Sequence, residues 1–375
     1  MALSERQLNR ATLQRQLLLH RENLTVVDEI GRLVAIQAHE HAAPYVALWN
    51  RIEGFEPASL DDSFSTGEVV KASLMRITLH AVRAIDYPIF HQAMLATLRA
   101  SRLNDRRFAE SGMSIEDVDA LIPHLLDFGM QPRTKTEIEA MLGERIGSEA
   151  HPRVWWALRT FAPMIHSPRG DVWSFGARQA FETAPPSGER PDVGTAVGTL
   201  FRRYLDGFGH ASRQDFDQFA MLRQSTLKPV LESMTDLVTL EGPGGSEMYD
   251  LPDLDVPPED TPAPPRLMTM WDSTLLAYAD RRRIIPEALR KSVIRNNGDV
   301  LPTVLIDGHV AGVWRHRGGT VEARLFEDID PGQWAGLEME AASLKKMVAE
   351  RGDSVFGRYG RWWEKLPEGE TRQIG

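Results

Sequence analysis

In the stretch VAIQAHEHAAPY (residues 34–45), an apolar run from Leu33 to Ile36 stops at Gln37. His39, Glu40 and His41 follow before Pro44 opens a second apolar stripe. These residue types can place and deprotonate a water. A Gln amide takes no proton but can hold a water in line. A neutral His, with an ordinary pKa of about 6.5, can accept the proton. Glu40 could hold the imidazole tautomer or offer negative charge. The alternative reading is a polar turn, with Gln37 a solvated helix end and His39 a local hydrogen-bonding residue. In a continuous helix, residues 37 and 39 point to different sides. They converge only where the helix ends or bends, which Pro44 favours nearby. His39 and His41 would not share a helical face and have no evident carboxylate partner, so no metal and no cofactor is expected.

The elements that must position this stretch follow from periodicity. Residues 25–37, TVVDEIGRLVAIQ, read as an amphipathic helix with Val26, Val27, Ile30, Leu33, Val34 and Ile36 on one broad face. PYVALWNRI reads as a second helix, so the polar residues sit at an elbow between two helices. FEPASLDDSFSTG (55–67) suggests a short third helix, and VVKASLMRITLHAV (69–82) has the content of a β-hairpin. Ser4 with Gln7 fits a capping box, and the first residues carry no apolar signal core.

Two later segments look alike. RTKTEIEAMLGERIG (133–147), HPRVWWALRTFAP (151–163) and MIHSPRGDVWSFG (164–176) parallel HASRQDFDQFAML (210–222), TLKPVLESMTDLV (226–238) and TLEGPGGSEMYDL (239–251). Each begins at a cap, Thr136 with Glu139 and Ser212 with Asp215, and runs through two short helices into β-prone runs around a tight turn, SPRGD or EGPGGSE. Helix, helix and hairpin repeated at about 75 residues is a winged-helix pattern. Residues 1–110 could be a third, elaborated copy. DLPDLDVPPEDTPAPP (250–265), with six prolines, reads as a linker or a strap over the surface. Beyond it, LLAYADRRRIIP (275–286), VLPTVLIDGHVAGVWRHR (300–317) and TVEARLFEDI (320–329), broken by NNGD, DG and RGG, suggest a small antiparallel barrel or sandwich. GLEMEAASLKKMVAERGD (336–353) reads as a closing helix.

The 375 residues suffice for two to four domains. With 42% hydrophobic and 26% charged residues the chain reads as soluble and globular, and no apolar run approaches the roughly 18 residues of a membrane span. It contains no Cys, which excludes disulfides, thiolate metal sites and a Cys nucleophile, and a cytoplasmic location is expected. The net charge of −10 argues mildly against nucleic acid, but residues 241–275 contribute −7 of it. Only seven of the 43 basic residues are Lys; Arg suits phosphate recognition, although a GC-rich genome gives the same bias.

VAIQAHEHAAPYVALWNRI, LMRITLHAVRAIDY, RRYLDGFGHASRQDFDQF, DSTLLAYADRRR and VLIDGHVAGVWR, in that order along the chain, resemble the AlkZ-like tandem winged-helix family of bacterial alkylpurine DNA glycosylases. The resemblance implies an α+β fold of three winged-helix units and a small C-terminal antiparallel β-barrel. We place the units at 1–112, 113–185 and 186–250, a Pro-rich acidic linker at 251–266 and the barrel with its closing helix at 267–375. It implies a monofunctional enzyme, a monomer near the nucleoid, that hydrolyses the N-glycosidic bond of bulky N7-alkylguanine or N3-alkyladenine adducts in duplex DNA, crosslinks included. The pathway would be base excision repair or self-resistance to a DNA-alkylating natural product. The family's catalytic signature is Gln, an apolar residue, then Gln or Asp. Here it reads Gln37-Ala38-His39, so the third position departs: His39 either serves as a functional variant or marks a changed activity. A winged-helix DNA-binding protein without catalysis is the rival reading.

For DNA contact the candidates are Arg169 at the SPRGD tip, Arg76 and His80 in the first hairpin, Arg153 beside Arg159, Arg203 beside Arg202, and Arg281 and Arg282 in the densest basic run. Each has an ordinary reading beside it: an exposed tip, an ion pair, a satisfied core histidine or a solvated face. Trp155, Trp156 and Leu158 read as core.

Overall fold

A computed structural model describes residues 3–185, 191–252, 255–352 and 355–375. Asp253 and Leu254 of the Pro-rich segment, and Asp353 at the end of the closing-helix stretch, lie outside the described residues. Two compact units divide the chain, one of residues 1–60, 201–219 and 234–375, the other of residues 61–200 and 220–233.

The first unit is threaded by the helix Glu5–Arg15, started by a capping box in which Ser4 and Gln7 satisfy each other's backbone N–H. The helix is buried nearly all round, polar face included, because each polar side chain finds a partner. Asn9 donates to the carbonyls of Arg283 and Gly308 at 2.6 and 2.8 Å, and Arg15 pairs with Asp250. Residues 259–261 of the Pro-rich segment lie along this helix. Arg6 and Arg10 donate to the carbonyls of Glu259 and Thr261 at 2.8 and 2.7 Å.

The sheet of this unit is antiparallel in the order Glu370–Ile374, Thr320–Leu325, His309–Arg317, Thr303–Ile306, Arg266–Leu267. The Asp307-Gly308 turn joins its central hairpin with both residues at positive φ, 46° and 80°. Glycine is required at 308, since a Cβ there would meet Leu13 and Asn9 at 2.5 and 2.6 Å. This sheet is open, which corrects the expected barrel. The strand at one edge has only two residues, and the other edge carries charges, Glu370 and Arg372, that leave it facing water. The helix Pro331–Val348 packs on the sheet instead of a closing strand. Ala279-Asp280-Arg281-Arg282 forms turns rather than a strand.

The second unit orders its antiparallel strands Leu79–Arg83, Val69–Ser73, Met164–Ser167, Ala180–Thr183, Arg133–Thr134. Around them stand the helices Tyr87–Leu103, Ile115–Phe128, Lys135–Ile146 and Pro152–Phe161. Trp155, Leu158 and Phe161 form the core, with Trp155 edge-on to Phe181 at 4.9 Å. Trp156 departs from the expected core. It is half-exposed, with the guanidiniums of Arg102, Arg107 and Arg153 at 4.5, 4.8 and 5.5 Å from its ring.

Three boundaries moved. The cap of helix Lys135–Ile146 is Thr134 with Glu137, two residues before the expected pair, since Thr134 ends a strand and is the first Thr free to leave helical geometry. Ser212 and Asp215 cap as expected. The strand Met164–Ser167 pairs with Ala180–Thr183, not with residues just past SPRGD. Residues 171–175 fold back, with Ser174 bonded to Asp61 at 2.6 Å and Phe175 edge-on to Phe64 at 4.8 Å. The helix after Thr25 stops at Arg32, well before Gln37.

Candidate active site

Thr25 accepts from the Asp28 N–H at 3.1 Å and starts the helix Val26–Arg32. The helix ends because Val34 takes φ 66°, a left-handed conformation that a β-branched residue adopts only when its surroundings hold it there. Val34 is fully buried, and Arg203 donates to the carbonyl of Gly31 in the last turn. Residues 36–37 are then extended. Pro44 lies in the first turn of the next helix, Ala43–Trp49. Gln37 and His39 therefore lie on an irregular, partly extended connection where residues two apart can share a side.

Both converge on Trp271. Gln37 is 3% exposed and, with Trp271, Asp272, Arg51 and Gln16, lines a cavity of about 10 Å³, the space of one water molecule. His39 is exposed and meets Trp271 edge-on, with ring centroids 5.5 Å apart. Trp271 is itself at φ 52° and donates its indole N–H to the carbonyl of Gly298 at 2.8 Å. Its neighbour Asp272 is anchored by Arg51 through bonds of 3.0 and 3.1 Å, both side chains 1% exposed. Arg51 also donates to the carbonyls of Gln16 and Ala47, so its buried charge is fully engaged. Ser273 closes the wall by donating to the carbonyl of Ala35 at 3.1 Å.

Glu40 faces a different set of partners. Its carboxylate is paired with Arg358 and accepts from the Tyr359 hydroxyl at 3.2 Å. Burial, with Glu40 beside it, pushes the Tyr359 hydroxyl up to about 12, so it stays a donor. Trp271 lies between the two aromatic neighbours, with Tyr359 on it edge-on at 5.4 Å. Sequence reasoning missed Trp271, Arg358, Tyr359 and Arg51. Trp271 stands one residue before the DSTLLAYADRRR match, a signal that could have been used; Arg358 and Tyr359 carried none.

The expected phosphate ligands divide. In the second unit Arg76 takes φ 51° in the turn before Leu79–Arg83, with its guanidinium 3.3 Å from Nε2 of His80. His80 is fully buried and its Nδ1 donates to the Thr78 carbonyl at 3.0 Å. Burial, with Arg76 adding to it, drives His80 down to about 3, so it is a neutral acceptor that orients Arg76. Arg153 lies on Trp156, and Arg169 is exposed in the loop after Met164–Ser167. In the first unit Arg203 is engaged on Gly31, and Arg202 on Asp236 at 2.6 Å. Arg282 is exposed and paired with Asp280 at 2.6 Å and Glu5 at 3.5 Å. Arg281 differs: its half-buried guanidinium has an Nε without a hydrogen-bond partner, and burial lowers its pKa.

No helix among the described residues is long and apolar enough to cross a membrane. Residues 30–347 match the family model described as "DNA glycosylase AlkZ-like". A relative from Streptomyces sahachiroi, an "Interstrand DNA cross-link repair glycosylase", is 26% identical over 371 residues, covering 92% of this chain and 97% of its own. The solved structure of the Streptomyces sahachiroi DNA glycosylase AlkZ is similar in fold, with TM-score 0.80 and 22% identity, covering 93% of this chain and 98% of that one.

Proposed function

The chain belongs to the AlkZ-like family of DNA glycosylases, and from that premise we propose that it hydrolyses the N-glycosidic bond of alkylated purines in duplex DNA, using Gln37 and His39. The observation that carries the assignment is the Gln37 amide, buried against a cavity of about 10 Å³ beside Trp271, with His39 on the same indole. A purine alkylated at N7 or N3 is already cationic, so its departure neutralises it and leaves an oxocarbenium-like sugar. Gln37 holds the attacking water by its amide. His39, the exposed base of the elbow, takes the water's proton as the new C–O bond forms at the anomeric carbon. Glu40, neutralised by Arg358 and Tyr359, is not the base; it ties the elbow to the segment around Tyr359.

The substrates proposed are bulky N7-alkylguanine and N3-alkyladenine adducts, with the cross-linked DNA named for the Streptomyces relative as a natural extension. An adduct of that size suits access from a groove better than extrusion into a snug pocket. We read 133–183 and 210–250 as winged helices that grip the duplex, with Arg169, Arg153, Arg76, Arg281 and Arg282 toward phosphates and His80 and Arg203 as positioning residues.

The test is purified protein with a duplex bearing a single N7-alkylguanine, beside Gln37→Ala and His39→Ala. Expected are free base and an alkali-labile site from the wild type, with turnover reduced about 10²–10³-fold in each variant. Binding without release across simple and bulky adducts would replace this reading with a non-catalytic DNA-binding protein.

A further inference from the structure

The wall of the one-water cavity beside Gln37 contains a group that the proposed chemistry leaves unused. Thr269 lines the cavity, is 1% exposed, and its hydroxyl has no hydrogen-bond partner among the described residues. Other polar groups around this space are engaged. Arg51 binds Asp272 and the carbonyls of Gln16 and Ala47. The Gln16 amide donates to the Gly207 carbonyl at 2.7 Å and accepts from the Thr274 hydroxyl at 3.2 Å, and Ser273 donates to the Ala35 carbonyl. Thr269 stands between Met268 and Met270, both fully buried, where a valine would fill the same space with no hydroxyl to desolvate. The backbone is fixed on either side of it. The Met268 N–H donates to the Thr303 carbonyl at 2.8 Å, and the Trp271 N–H to the Val300 carbonyl at 3.3 Å. A buried hydroxyl without a protein partner, beside a space the size of one water and among further polar groups, has the character of an ordered-water site.

We propose that Thr269 is a positioning residue for Gln37: its hydroxyl holds one water in the cavity, and that water hydrogen-bonds the Gln37 amide and fixes its orientation. The residues that line the cavity are all buried, and the exposed His39 is not among them. The attacking water must reach both His39 and the sugar, so it is a different molecule, outside the cavity. A terminal amide turns about a broad, soft torsion. A Gln that must present the same atoms to the attacking water therefore gains from a second contact behind it. Thr269 acts only through Gln37. The kinetic consequence rests on the glycosylase reading; the water bridge itself does not.

Crystals of the full-length wild type and of Thr269→Val, diffracting well enough to show ordered water, test the bridge directly. The wild type is expected to show one water within hydrogen-bond distance of both the Thr269 hydroxyl and the Gln37 amide, and the variant to lack it. Base release from the N7-alkylguanine duplex reads the consequence. Thr269→Val should lower kcat about tenfold, with KM and duplex affinity unchanged and a urea midpoint close to that of the wild type. Thr269→Ser, which keeps the hydroxyl, should recover most of the loss. No bridging water in the wild type, or full kcat in Thr269→Val, overturns the proposal. So does a Thr269→Ser variant as slow as Thr269→Val, or a fall in kcat matched by a fall in stability, since either assigns the residue to packing. A bridged Gln37 in a protein that releases no base from any adduct would sink the hydrolase reading and leave the water bridge standing.

Discussion

Replacing Glu29 with Gln is expected to change the pH dependence of stability and little else. Glu29 lies on the helix Val26–Arg32 that leads to the elbow, is fully buried, and neither carboxylate oxygen has a hydrogen-bond partner. Desolvation pushes its pKa up to about 7, against a partial opposing pull from Arg51 and Arg32. A carboxyl raised in the folded state binds its proton more tightly there than in the unfolded chain. Stability is therefore fully present below the unfolded value of 4.5 and falls as pH rises toward 7, where ionisation of the buried group opposes folding. The span from 4.5 to about 7 corresponds to roughly 3 kcal/mol. Gln keeps the shape and cannot ionise. Urea melts of wild type and Glu29→Gln at pH 5 and pH 8 should show the difference between them shifting by roughly that amount in favour of the variant. Parallel stability profiles across this range would refute the reasoning, because they would mean that Glu29 reaches water or a counter-ion when ionised.

Other expectations concern buried and exposed charge. Arg51→Ala leaves Asp272 buried and unpaired, so it should destabilise the protein by about 3–5 kcal/mol in the same urea assay; loss of less than about 1 kcal/mol would show that the pair does not anchor the Trp271 wall. Arg281→Ala should weaken binding to duplex DNA whatever its sequence and reduce the slope of log K against log salt by about one. Arg282→Ala should do less, because Asp280 and Glu5 already occupy that guanidinium; a salt titration in which the two variants behave alike would remove Arg281 from the interface.

What could be read along the chain is what is decided over a few residues. The Ser4–Gln7 and Ser212–Asp215 caps, the Asp307-Gly308 hairpin and the mixed α+β composition depend on backbone conformation and side chains three or four positions away. The polar stretch at Gln37 and His39 was visible for the same reason: it interrupts two apolar runs. The elbow's geometry was not, because the left-handed Val34 that ends the helix early is imposed by packing and by Arg203 reaching Gly31, some 170 residues away in the sequence. The closed barrel expected from strand content became an open sheet covered by the helix Pro331–Val348, since strand propensity does not say whether the first and last strands will pair. Likewise the one-water cavity, the Arg51–Asp272 anchor and the ring path through Trp271 and Tyr359 join residues from near 40, 270 and 359. Local propensity named the residue types able to do chemistry; only tertiary packing, by excluding water and fixing partners hundreds of residues apart, decided which of them meet.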